Sequence, residues 1–126
     1  MYILTKKMEV SGGHCLDLPY TSKCTNLHGH NWWVTVEIMG KKLNPEGMLL
    51  DFGVIKNVVN QLDHQNLNDI LPDINPTAEN IAKWIADQII VYLSDAWDQH
   101  PDRPNVSEVI VQESEGNICH YRPDFQ

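Results

Sequence analysis

Along "HNWWVTVEIMG", apolar and polar residues alternate, so His28, His30, Trp32, Val34, Val36 and Ile38 fall on one side of an extended chain. Asn31, Thr35 and Glu37 fall on the other, free to meet solvent or a neighbouring subunit. Residues 2 to 10 predict an earlier strand. The period then changes: in "DFGVIKNVVNQL", Ile55, Val58, Val59 and Leu62 recur at helical spacing behind Asp51, a good N-cap. This predicts a helix of about three turns. A longer helix begins near "NPTAEN", with Asn75 as cap and Pro76 in the first helical position. Its stripe of Ile81, Trp84, Ile85, Ile89, Leu93 and Ala96 carries it to about Asp98. "SEVIVQES", the turn "EGN" and "ICHYRP" read as a hairpin with Val109, Val111 and Glu113 on one face. The expected architecture is α+β, an antiparallel four-stranded sheet with two helices on one face.

Nothing in the composition breaks that picture. The chain has 126 residues, enough for one domain over 1–126 with a real core. The loop-like stretches "LNPEG" and "HPDRPN" are too short to divide it. No apolar run approaches membrane-spanning length, and the N-terminus lacks the order of a signal peptide. Three cysteines, an odd number with no CxxC pair, suit a reducing compartment, so a cytoplasmic location is expected. A net charge of −8 argues against nucleic acid as partner. An anionic ligand would need local cations, for which Lys6, Lys7, Lys23 and Arg122 are the candidates.

The candidate chemistry sits where strand meets loop. His28 and His30, two apart on an extended backbone, can grip one ion together. His14, after "SGG" at the end of the first strand, is the natural third ligand if the two strands pair; glycines at 12 and 13 would let the chain bend there. Three neutral imidazoles with an open fourth position describe a catalytic Zn²⁺ site. Two other readings stay open: ordinary core or surface histidines, and a closed structural site completed by Cys24. Cys24 near a cation and beside Lys23 would be biased toward thiolate, the form that acts as base or nucleophile. Asp63 precedes His64 and could orient its imidazole for proton transfer, provided the loop turns sharply. Glu113, at the end of a buried face, suits a ligand offering two N–H donors, or else lies in water where the strand frays. His100 and His120 are expected on the surface.

"SGGH" (11 to 14), "CTNLHGHNW" (24 to 32), "GMLLDF" (47 to 52), "LDHQNLN" (62 to 68), "NPTAENIA" (75 to 82) and "VQES" (111 to 114) together resemble the 6-pyruvoyltetrahydropterin synthase and 6-carboxytetrahydropterin synthase family nearly end to end. A cysteine separated from HGH by three residues is similar to the bacterial 6-carboxytetrahydropterin synthase branch, which feeds queuosine synthesis. The resemblance implies the tunnelling fold, with sheets joined into barrels, commonly hexamers, and active sites between subunits. It also implies Zn²⁺ on His14, His28 and His30, and catalytic roles for Cys24, Asp63, His64 and Glu113. Glu113, Lys23 and Thr77 would bind substrate, 7,8-dihydroneopterin triphosphate. One departure stands out: Val10 and the glycines at 12 and 13 replace the family's phenylalanine and "SAxH", which should loosen the backbone under His14. From a different class, the same residues would serve a pterin-binding module without catalysis.

Overall fold

The computed structural model describes residues 1–126. Strands β1 (Tyr2–His14), β2 (His28–Gly40), β3 (Gln65–Asn66), β4 (Asn105–Ser114) and β5 (Asn117–Tyr121) form one sheet in the order β3-β1-β2-β4-β5. All neighbours are antiparallel except β3, whose two residues run parallel to β1 at Gly12 and Gly13. Helices α1 (Phe52–Asn60), α2 (Leu67–Ile70) and α3 (Ala78–Ala96) complete the chain, with a single 3₁₀ turn at Lys23–Thr25. No helix is long and apolar enough to cross a membrane.

The expected four-stranded, two-helix α+β layout holds, with a short fifth strand and a one-turn helix added beyond it. Trp32, Val34, Val36 and Ile38 of β2 and Val106, Val109 and Val111 of β4 are all buried beneath Ile81, Ile85, Ile89 and Leu93 of α3. Each buried aliphatic side chain among them contributes about 1.5–3 kcal/mol of transfer free energy, which gives the sheet and α3 a core distinct from the histidines. Asp51 caps α1 as expected, its carboxylate accepting from Gly53 N–H at 2.8 Å.

Two expectations need correction. Helix α3 is capped by Thr77, whose hydroxyl accepts from Asn80 N–H at 3.2 Å, and not by Asn75. The Asn75 side chain is committed elsewhere, to the backbone of Asp17. Nor do Gly12 and Gly13 bend or loosen β1. The register runs unbroken to His14, and both glycines are sandwiched between β2 and β3. A Cβ on Gly12 would stand 3.2 Å from the Leu67 side chain and 3.3 Å from Leu62 O, and one on Gly13 3.3 Å from His28 O. A Cβ at either position would require these neighbours to give by a few tenths of an ångström, so the glycines permit close approach rather than a bend.

Candidate metal centre and active site

The antiparallel register places His14 directly opposite His28, and Gly12 opposite His30. Period-two spacing puts His28 and His30 on one face, and cross-strand pairing brings His14 to the same spot. The ring centroids lie 4.5 Å (His14–His28), 4.9 Å (His28–His30) and 5.2 Å (His14–His30) apart. One ligand atom of each lies within 4.8 Å of the others.

The hydrogen bonds around this triangle decide which nitrogens face inward. His14 Nδ1 lies 2.7 Å from the Pro76 carbonyl oxygen, and His28 Nδ1 lies 2.7 Å from that of Asn26. A carbonyl can only accept, so each Nδ1 carries the proton and each Nε2 keeps a lone pair. The Nε2 atoms of His14 and His30 are buried without a hydrogen-bond partner. Glu113 Oε1 is 3.2 Å from His30 Nε2, a close approach without hydrogen-bond alignment. Orphaned buried polar atoms cost about 1–3 kcal/mol each, and convergent ones fit a bound cation. The three residues can therefore hold a metal ion. Trp32 braces the triangle from below, edge to face with His14 at 5.0 Å and His30 at 5.1 Å, and its Nε1 donates to Gly12 O at 3.0 Å.

Burial holds the His14 pKa below its usual 6.5; the Pro76 carbonyl opposes this, and the neighbouring His28 reinforces it. The unfolded chain thus binds a proton near pH 6.5 that the folded, metal-free chain resists. This group's contribution to stability is complete above 6.5 and is lost as pH falls through the lower folded value, by at most about 1.4 kcal/mol per pH unit. Chelator-treated protein should therefore unfold at lower urea concentration at pH 5.5 than at pH 7.5; equal midpoints would refute the neutral, buried His14.

Asp63 and His64 meet the condition set by the sequence, a sharp turn. His64 has φ +57°, and its Nδ1 lies 3.0 Å from Asp63 Oδ2. Ser11 locks the pair from both sides: its N–H donates to Asp63 Oδ1 at 2.9 Å, and its carbonyl accepts from His64 N–H at 2.6 Å. The Ser11 N–H first, then the His64 imidazole, hold the Asp63 pKa below the usual carboxylate value. His64 is exposed and shares with His30 a polar cleft of roughly 370 Å³, floored by Gly12, Gly13 and Gly29. His64 thus lines a cleft along the ends of β1 and β2, which His14 and His28 do not border.

Cys24 sits half-buried in the 3₁₀ turn, four residues before His28. Ser22 Oγ accepts its N–H at 3.1 Å, and its carbonyl accepts from Leu16 N–H at 2.7 Å, two residues beyond His14. Lys23 beside it is exposed and forms no ion pair, whereas Arg122 is engaged with Glu108 at 2.6 Å. Lys6 and Lys7 lie over the rings of Phe52 and Trp33. Glu113 does not fray into solvent. The register shift between Gln112 and Ser114 leaves it unpaired with β5, and it lies two residues beyond Val111 on the buried face, against His30. The Thr77 hydroxyl is occupied as the α3 cap. His100 and His120 are exposed, as expected.

Residues 3–124 match the family model for 6-pyruvoyl tetrahydropterin synthase. The chain belongs to the 6-pyruvoyl tetrahydropterin synthase family. It is 33% identical to the 6-carboxy-5,6,7,8-tetrahydropterin synthase of Bacillus subtilis, over 95% of this chain and 84% of that protein. It is 32% identical to the 6-pyruvoyl tetrahydrobiopterin synthase of Dictyostelium discoideum, over 95% of each. The solved 6-pyruvoyl tetrahydropterin synthase of Caenorhabditis elegans superposes with a TM-score of 0.69 at 26% identity, covering 98% of both chains. The tunnelling fold of that family is therefore the fold of this chain.

Within this family member, several supports of the site escaped sequence reasoning: the Pro76 carbonyl behind His14, the Ser11 backbone behind Asp63, and the side chains of Asn68 and Asn75 along residues 15–17. The Asn pairs span 53 and 58 residues, a separation that no local pattern encodes.

Proposed function

We propose that the protein is a Zn²⁺-dependent 6-carboxy-5,6,7,8-tetrahydropterin synthase, converting 7,8-dihydroneopterin triphosphate and water to 6-carboxytetrahydropterin, acetaldehyde and triphosphate. The observation that supports this reading is the triangle of His14, His28 and His30, one ligand atom of each within 4.8 Å of the others, with Nε2 lone pairs on His14 and His28 and the Nε2 atoms of His14 and His30 buried without a partner. Neutral nitrogen donors with an open position suit zinc. Bound there, zinc would act as a Lewis acid on oxygens of the substrate side chain and acidify the adjoining C–H.

The remaining steps fall to the chain's own groups. Cys24, as thiolate, takes the proton from the side-chain carbon. His64, held by Asp63 through Nδ1, exchanges a proton at Nε2 with the reacting side chain. Glu113 borders a cleft of roughly 440 Å³ between the start of α3 and the β4–β5 turn, from which its carboxylate accepts two N–H donors of the pterin edge. Lys23 meets the triphosphate, and Thr77 lies at the substrate-binding end of α3. The proposed setting is the cytoplasm, and the product enters queuosine synthesis. The proposed assembly is a homohexamer with active sites between subunits: β1 has no in-chain strand partner along residues 2–11 on its outer edge, and β5 forms the other edge.

Mass spectrometry of products from the purified zinc form tests the proposal. Stoichiometric acetaldehyde with 6-carboxytetrahydropterin is expected. A 6-pyruvoyl or 6-hydroxymethyl product without acetaldehyde would reject it in favour of another reaction at the same site.

A further inference from the structure

Beyond His14 the chain leaves the sheet, yet residues 15–17 are held as firmly as a strand. Cys15 N–H donates to Asn68 Oδ1 at 2.9 Å, and Asn68 Nδ2 donates back to Cys15 O at 2.8 Å. Two residues on, Asp17 N–H donates to Asn75 Oδ1 at 2.8 Å, and Asn75 Nδ2 returns a bond to Asp17 O at 2.9 Å. Each carboxamide thus imitates one residue of a neighbouring strand, and the period of two leaves Leu16 facing the opposite way. There its N–H donates to Cys24 O at 2.7 Å.

The anchors of this ladder are themselves fixed. Asn68 lies in α2, whose start is capped by Asn66 Oδ1 accepting from Asn68 N–H at 3.0 Å. Asn75 C=O accepts from Asn80 Nδ2 at 2.8 Å, and the next carbonyl, Pro76 O, faces His14 Nδ1. One rigid hub therefore reaches both the histidine triangle and the turn carrying Cys24. The turn itself contributes no buried residue to the core, so packing alone does not fix it.

We propose that Asn68 and Asn75 are positioning residues that hold the Cys24 thiol in register with the histidine triangle through the backbone of residues 15–17. The inference rests on Cys24 being the base proposed above. Misplacing a reacting group by about 1 Å costs on the order of 10²-fold in rate, so a clamp of this kind acts on kcat.

Asn68 is the cleaner test, because its side chain hydrogen-bonds only to the Cys15 backbone. Asn68→Ala removes both bonds, whereas Asn68→Asp keeps the acceptor and loses the donor. Expected for Asn68→Ala is a fall in kcat of roughly 10-fold or more, with KM within about twofold and zinc content unchanged, and a smaller fall for Asn68→Asp. Two readouts need no turnover: hydrogen exchange at the Leu16 amide and alkylation of Cys24 by iodoacetamide, followed by peptide mapping. Both should accelerate in the order wild type, Asn68→Asp, Asn68→Ala. Unchanged Leu16 exchange and Cys24 alkylation, or a loss of zinc in step with activity, would overturn the proposal. Should the unsubstituted protein fail to turn over the pterin, the synthase reading falls, while exchange and alkylation still judge the clamp.

Discussion

Cys24→Ala should lower turnover of dihydroneopterin triphosphate by about 10²–10⁴-fold, the range expected when a positioned proton-transfer group is removed, with bound zinc still stoichiometric. The separation of the two effects follows from the geometry. Three imidazole nitrogens within 4.8 Å of one another could hold a cation without help from sulfur. The Cys24 turn adds no buried side chain to the core, so its loss should leave the fold intact. Turnover assays beside metal analysis of the same preparation check this. Zinc and pterin binding unaffected in the variant, with no turnover in wild type or variant, would make the protein a pterin-binding module; a variant that loses zinc would return Cys24 to the ligand set. Chelation separates the last alternative. With 22 hydrophobic residues buried in one cluster, removal of zinc should abolish activity and preserve far-UV circular dichroism. Melting on chelation would mark the site as structural.

How much of this was written in the sequence depends on the distance over which each feature is encoded. β2 was legible because alternation is local: every second residue from Trp32 to Ile38 is buried, and His28 and His30 extend the same face. The body of α3 was legible for the same reason at period 3.6. Its start was not, because Asn75 and Thr77 are both good caps, and the choice between them is made by Asp17, 58 residues away from Asn75. β3 has two residues, too few for any period, yet by pairing with Gly12 and Gly13 it stiffens the backbone under His14. That contact is why glycines expected to loosen the strand instead lie in close contact with their neighbours. Asp63 and His64 were suspected as a pair, but the pairing depends on the left-handed backbone of His64 and on Ser11, neither visible in a dipeptide. Residue types at the site were therefore readable, while the bonds that aim them were not.

Trp32→Ala should be the most damaging single change to stability, because it acts on the core and on the site at once. The side chain is 1% exposed, and truncating a buried tryptophan costs about 3–5 kcal/mol through lost transfer energy and the cavity left behind. Its indole also stands against His14 and His30 and donates to Gly12 O, the residue paired with His30. Removing it should free both imidazoles to rotate and weaken zinc binding by about 10–100-fold, the usual effect of losing a group that orients metal ligands. Trp32→Phe separates the two roles. It keeps an aromatic ring in the same space but forfeits the Nε1 bond to Gly12 O, so most stability should return, short of the roughly 0.5–1.5 kcal/mol that one hydrogen bond contributes. Urea unfolding of chelator-treated protein reads the first effect, and competitive zinc titration of folded protein reads the second. If Trp32→Ala unfolds at the wild-type urea concentration, the sheet does not rest on this residue; if Trp32→Phe binds zinc as tightly as wild type, the indole packs the core but does not aim the ligands.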